Sequence, residues 1–356
     1  MPDSPMAESP PIPHSRPSIA GADIRAVSRV LRSGMLAQGE EVRAFEAEVG
    51  AFLGLPPGVA VSSGTAALHL ALQALGVQSG DEVLLPSYVC VAPLHALERL
   101  GAVPRLVDAD PETYNLDPDD ARRRLGPRTR AMIVPHLFGL PADLGPLLAL
   151  GVPILEDCAQ AMGATYRGRP AGAHGAVSVL SFYATKLLTT GEGGMVLSRD
   201  PRLRERVRDR REYDQRRRHA ARFNYKLTDF QAALGRSQLR RLPAMLARRA
   251  AIAAAYRRAW RGLPLRLPAP GPASTHAYHR FVVSSSRAAG ALTRQLAALG
   301  VVARRPVFQP LHRTLGQPGF PGTSEIYRRA VSLPIYPSLA ARERAAVVSA
   351  VRRVFA

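Results

Sequence analysis

"VAVSSGTAALHLALQALG", residues 59–76, decides the fold. Its first part, "VAVSS", is a short apolar run and reads as a strand. Its second part sets Ala67, Leu68, Ala71, Leu72 and Leu75 at the spacing of one helix face. Ser63, Gly64 and Thr65 stand between. A strand that feeds a helix through a small polar turn is the opening unit of an α/β domain. Free backbone N–H groups at the helix start, with the flanking hydroxyls, make a cradle suited to a phosphate, and Gly64 permits close backbone approach. Taken alone, the same turn is also an ordinary helix cap.

The pattern repeats outward. "EVLLP" (82–86), "VPRLVD" (103–108), "AMIVPH" (131–136), "VPILED" (152–157), "AVSVLSFY" (176–183) and "GMVLS" (194–198) are further strand candidates. Several lack polar alternation, as strands buried on both faces do. Helical patterns separate them, so the sheet is expected to be mainly parallel, with "GMVLS" able to pair antiparallel after its Gly-rich turn. From about residue 228 the texture changes. Thr228 and Gln231 form a capping-box pattern before a long Ala/Leu/Arg helix to about 260. A strand ("HRFVVSS"), a helix over 287–300 and a last helix over 339–355 follow. The expected organisation is a disordered lead-in over 1–17, rich in Pro and Ser, a large domain over 18–240 and a smaller domain over 241–356.

Composition narrows the function. The chain has 356 residues, enough for a large core. No apolar stretch has spanning length and the start shows no signal pattern, so no membrane partner and a cytoplasmic location are expected. Cys90 and Cys158 form no CxxC pair, no metal-ligand spacing occurs among the histidines, and GxGxxG, GxxxxGK and GxSxG are absent. No metal site is expected. The formal net charge is +20, which fits nucleic acid or an acidic small substrate. The densest basic run, 202–222, holds Tyr213 as its one aromatic residue before Arg222. It lacks a stacking platform for single strands and reads as a solvated helix face, so no nucleic-acid partner is expected.

Lysine is the rarest of the basic residues. Of 48 Lys+Arg, only Lys186 and Lys226 are lysine. An amine can lose its proton and form an imine with a carbonyl, which a guanidinium cannot. Lys186 lies in "SFYATKLLTTGEGGMV", just past a strand that ends near Ser181. Asp157 ends the preceding strand, at the sheet edge where open α/β sheets bind ligands. A phosphate cradle, a carboxylate for a ring nitrogen and an amine for an aldehyde are the three handles of pyridoxal phosphate. That cofactor is an electron sink when its ring nitrogen stays protonated, which an aspartate favours.

With these residues in hand, the chain resembles the DegT/DnrJ/EryC1/StrS family of pyridoxal-phosphate sugar aminotransferases. The resemblance runs from about residue 16 to the C-terminus. "SSGTAALHLAL", "GDEVLLPSYV", "IVPHLFGLPAD", "EDCAQAMGA", "SFYATKLLTTGEGGMV" and "FNYKLTDFQAAL" carry it together. It implies the type I aminotransferase fold, with a large domain on a mainly parallel seven-stranded sheet and a smaller α/β C-terminal domain. It implies that Lys186 is the Schiff-base lysine, that Asp157 partners the pyridine nitrogen and that Gln160 lies beside the phenolic oxygen. Gly64, Thr65 and Ser181 match the phosphate ligands. Asn224 matches an asparagine that reaches the neighbouring subunit's phosphate, implying a homodimer with shared sites. Lys226 falls where the family often has arginine and reads as a structural or surface charge.

One position departs from the family. Where an aromatic residue usually stacks on the cofactor ring, this chain has Cys90. Either Cys90 packs against the ring or Tyr88 covers it. On the substrate side the resemblance points to His312, Met35 and Leu36, against the alternatives of a surface-loop histidine and core packing. His136 and Glu192 are further candidates, with backbone satisfaction and turn ordering as their simpler readings. The expected reaction moves an amino group from glutamate or glutamine to a keto-sugar, expected to be nucleotide-linked. The alternatives are a cyclitol or carbocyclic ketone, a sugar dehydratase (opposed by Lys186, since those relatives carry histidine there) and a cofactor-binding regulator or basic nucleic-acid binder.

Overall fold

The computed structural model describes residues 10–214, 217, 219–271 and 273–355. Eleven strands occur among them: β1 (Val59–Val61), β2 (Glu82–Pro86), β3 (Val103–Val107), β4 (Thr129–Pro135), β5 (Ile154–Asp157), β6 (Thr165–Tyr166), β7 (Arg169–Pro170), β8 (Val177–Ser181), β9 (Gly194–Leu197), β10 (Phe281–Ser284) and β11 (Ala330–Leu333). Seven form one sheet in the order β1-β9-β8-β5-β4-β2-β3. Strand β9 runs antiparallel to both its neighbours, with Val196 opposite Val59 and Val179. The pairs β8–β5, β5–β4, β4–β2 and β2–β3 are parallel.

Strands β2, β5 and β9 are buried along their whole length, as strands covered on both faces are. Helix Gly64–Ala74 lies on one face of this sheet. Its buried residues run almost without a break from Ala66 to Ala74, and they share a core with Val59, Val61, Val179 and Val196. Each Val or Leu side chain among them withdrawn from water contributes roughly 1.5–3 kcal/mol. The helix therefore holds a fixed position, with its N-terminus at the end of β1.

A buried ion pair ties the same region from behind. Arg211 Nη1 lies 2.7 Å from Glu46 Oε1, and both side chains are buried. Glu46 also accepts from Ala60 N, and Arg211 donates to Ala60 O. The pair thus clasps helices Glu40–Phe52 and Pro201–Arg211 to β1. Other arginines of the basic run are used locally: Arg206 bonds to Ala74 O and Arg204 to Ser198 O. Residues 215, 216 and 218 of that run lie outside the described residues.

Helix Asp229–Ala259 joins the two halves of the chain. Leu242 and Met245 pack with the large-domain core, while Ile252, Tyr256 and the following Trp260 pack with Phe281, Val331 and Leu333. Position 240, where the domain division was expected, lies inside this continuous helix. Strands β10 and β11 pair antiparallel under the helices Ala289–Ala298 and Ala341–Phe355. The expected disordered lead-in needs correction over residues 10–17. Ile12 N donates to Gly300 O, Val302 N donates to Ile12 O, and His14 Nε2 lies 2.8 Å from Ser332 Oγ. Residues 1–9 lie outside the described residues.

Candidate active site

A cavity of about 230 Å³ opens at the C-terminal edge of β5 and β8. Ser63, Gly64, Thr65, Cys90, Asp157, Ser181 and Lys186 are among its lining residues. The topology explains the convergence: parallel strands deliver their C-terminal ends, and the turns after them, to one edge.

The helix N-terminus is open for an anion. Ser63 caps the helix, its Oγ accepting from Ala66 N at 3.1 Å. A side chain at Gly64 has no room: a Cβ there would lie 2.8 Å from Ser181 Cβ and 3.0 Å from its Oγ. The helix end and the Ser181 hydroxyl are thus pressed together into one polar cradle.

Asp157 Oδ1 accepts from Ala159 N at 3.0 Å, the one hydrogen bond its carboxyl makes among the described residues. Burial pushes its pKa up, opposed by that N–H and by the positive field of Lys186 and His136. A cationic N–H beside the second oxygen is what would hold it ionised, and a protonated pyridine nitrogen is such a group.

Lys186 sits in a loop fastened at both ends. Phe182 N donates to Gly193 O, Thr190 N to Phe182 O, and Lys186 N to Tyr183 O. Gly191 takes φ +81°, the left-handed conformation that lets the loop return. The Glu192 carbonyl accepts from Thr190 Oγ1 and Gln231 Nε2, so its backbone orders the turn, and Glu192 is among the residues that line the cavity. The amine of Lys186 makes no hydrogen bond among the described residues. Burial lowers its pKa, partly offset by Cys90 and Asp157 and reinforced by Arg280. A neutral amine is the form that attacks a carbonyl. An anion cradle, a buried acid short of a cation and an amine whose pKa burial lowers together fit pyridoxal phosphate.

Other expected residues lie elsewhere. Tyr88 is fully buried, edge-on to Phe138, and does not line the cavity, whereas Cys90 does. Gln160 Oε1 accepts from Phe138 N at 3.0 Å, outside the cavity lining. Asn224 is exposed and also outside it. His312 is not a surface-loop histidine. It is buried, its Nδ1 lies 2.7 Å from Ser87 Oγ, and its ring stacks on Phe320. Met35 and Leu36 are exposed and away from the cavity, so neither packs in the core. Lys226 pairs with Asp214 at 3.1 Å.

His136, Glu156 and Cys158 place three potential metal-ligating atoms close together. Their hydrogen bonds are already committed. Glu156 accepts from His136 Nε2 and from the N–H groups of Gly172, His174 and Gly175, and His136 Nδ1 accepts from Ala142 N. The cluster is a hydrogen-bond network behind Asp157. Sequence reasoning missed Tyr183, which lines the cavity. Tyr183 was findable, since it stands between the end of β8 and the lysine.

A model of the DegT/DnrJ/EryC1/StrS aminotransferase family matches residues 17–352. Among solved structures, DesV of S. venezuelae is 37% identical, covers 93% of this chain and 94% of its own, and superposes with a TM-score of 0.89. The sugar aminotransferase CalS13 from Micromonospora echinospora is 32% identical over 96% of this chain and 99% of its own, with a TM-score of 0.89. Spr1654 from Streptococcus pneumoniae, solved in a PLP-form, is 25% identical over 97% of this chain and 100% of its own, with a TM-score of 0.91.

Proposed function

The chain belongs to the DegT/DnrJ/EryC1/StrS aminotransferase family, whose enzymes work with pyridoxal phosphate, and we propose that it carries an amino group from glutamate or glutamine to a nucleotide-linked keto-sugar. The observation that carries this reading is the single cavity shared by Lys186, Asp157, Ser181 and the helix start at Gly64. When bound, pyridoxal phosphate supplies an electron sink for the pair left on the donor's α-carbon.

The chain's own residues would do the rest. Backbone N–H groups at Gly64 and Thr65, with the Ser181 hydroxyl, would hold the phosphate. Asp157 would keep the ring nitrogen protonated. Cys90 would lie against the ring in place of an aromatic side chain, and Gln160 would turn its free amide N–H toward the phenolic oxygen. Lys186, whose pKa burial lowers, would take the proton from the donor's α-carbon and return it on the other side of the transfer, as base and then acid. Asn224, exposed outside this chain's own cavity, suits a reach into a neighbouring subunit's site, so the reading includes a homodimer. The charge of +20 favours a substrate that carries phosphates. CalS13, described as a sugar aminotransferase, supports the keto-sugar half. A cytoplasmic location belongs to the same reading; no helix among the described residues is long and apolar enough to cross a membrane.

The test is an absorbance spectrum of the protein with pyridoxal phosphate, before and after L-glutamate, beside Lys186→Arg. The expected result is a visible band of lysine-bound cofactor that glutamate or glutamine removes and that the variant lacks. Absence of the band from the wild type would overturn the reading.

A further inference from the structure

We propose that His312 is a positioning residue of this site: through Ser87 it fixes the segment that carries Cys90, and so sets the surface offered to the face of the cofactor ring. The inference rests on the aminotransferase reading above and on the place that reading gives Cys90. Strand β2 ends at Pro86, and helix Ala92–Glu98 begins after Val91. Ser87 opens the connection between them, and Cys90 further along it lines the cavity.

Four hydrogen bonds converge on Ser87. Its N–H donates to Val107 O at 2.7 Å, and its carbonyl accepts from Leu311 N at 2.8 Å. Its Oγ lies 2.7 Å from His312 Nδ1 and accepts from His312 N at 3.3 Å. Three of the four are thus made by Leu311 and His312. Since the His312 N–H already donates to Oγ, the hydroxyl proton is free to donate to Nδ1. Burial lowers the His312 pKa and so favours the neutral ring that accepts there. Tyr88 and Val89, which lead from Ser87 to Cys90, are both buried in the core. The segment therefore has little slack, and a shift at Ser87 is carried to Cys90.

His312 is itself held firmly. Its ring stacks on Phe320, with centroids 5.2 Å apart. Just beyond, Gly322 N and Thr323 N donate to the Asp108 carboxylate at 2.8 and 2.7 Å. Those contacts dock the segment on the end of β3. The His312 ring goes further and grips the residue that leads to Cys90. Placement matters more for a thiol than for an aromatic ring. A cysteine side chain is small, and a gap of roughly 0.5–1 Å forfeits roughly a quarter to a half of a contact's attraction.

The experiment uses the full chain, with and without saturating pyridoxal phosphate, as wild type, His312→Phe, His312→Asn and Ser87→Ala. His312→Phe keeps a ring to stack on Phe320 and loses the nitrogen. His312→Asn loses the ring and keeps a polar atom near the place of Nδ1. The readout is the rate of Cys90 alkylation by iodoacetamide, followed by mass spectrometry; Cys90 is the exposed cysteine and Cys158 the buried one. In the wild type, bound cofactor should slow alkylation at least about tenfold. In His312→Phe and in Ser87→Ala most of that protection should be lost while the visible band is retained. Combining the two should add little, as for two halves of one bond. His312→Asn should keep more protection than His312→Phe. A merely structural role would move the urea midpoint and leave the ratio of loaded to unloaded rates unchanged. Wild-type protection in either folded variant overturns the proposal, as does a wild type whose visible band forms while Cys90 stays unprotected. If His312→Phe does not fold, Ser87→Ala decides: lost protection supports the role and retained protection overturns it. A wild-type protein without the visible band would instead overturn the aminotransferase reading, so the two failures are distinct.

Discussion

Replacing Gly64 by alanine sets two forces against each other, and the sign of the result separates them. Gly64 opens helix Gly64–Ala74. By helix propensity alone, alanine should stabilise the protein by up to about 0.5–1 kcal/mol. The new Cβ would, however, lie 2.8 Å from Ser181 Cβ and 3.0 Å from Ser181 Oγ. Neither partner is the end of a flexible chain, since Ser181 closes β8, so the backbone must shift. Overpacking of this kind costs about 1–3 kcal/mol. The expected net is a loss of about 1–2 kcal/mol in urea unfolding of the cofactor-free protein. The same shift spoils the phosphate cradle, and a loss of that size corresponds to roughly 5–30-fold weaker pyridoxal phosphate binding, measured by absorbance titration. Adding Ser181→Gly removes the atoms that the Cβ meets. The double variant should regain stability but not affinity, because the Ser181 hydroxyl is gone. A Gly64→Ala protein that is more stable than wild type and binds the cofactor equally well would refute the reasoning.

Three further outcomes are expected. Arg211→Met leaves Glu46 buried without its cation and should cost about 3–5 kcal/mol in denaturant unfolding, whereas Arg211→Met with Glu46→Met should recover most of it. Burial pushes Glu156 up, but the donors from His136, Gly175 and Gly172 outweigh it and hold the carboxyl at about 2, below its ordinary 4.5. Its stabilising effect is therefore present above about pH 4.5 and lost as pH falls toward 2; Glu156→Gln should flatten the stability profile across that window. Asp157→Asn removes the charge proposed to hold the ring nitrogen protonated and should slow the glutamate half-reaction about 10²–10³-fold by stopped-flow absorbance, with the protein still folded.

The elements that position the site were legible because their signals are local. Strands buried on both faces carry unbroken apolar runs, and the helix after β1 announces itself by spacing and by the small residues at its start. The same holds for "GEGG", whose reversal brings β9 back antiparallel. What sequence could not resolve depends on distant partners. His312 looks like a loop histidine until Ser87 and Phe320 close around it. The segment around Ile12 has the composition of a disordered tail, yet one apolar residue with two backbone bonds to Gly300 and Val302 suffices to dock it.

The placement of β9 has a consequence for how the protein is made. Lys186 hangs between β8 and β9, and β9 is held on its far side by β1, which lies far back in the chain. Contacts between segments so distant close late in folding. During synthesis the Lys186 amine therefore emerges before the strand that secures its loop, and on the proposed role of Lys186 a grip on the cofactor waits until Gly194–Leu197 has slotted between its two neighbours. The appearance of colour on adding pyridoxal phosphate would then report completion of the whole sheet, and a chain truncated before Gly194 should stay colourless.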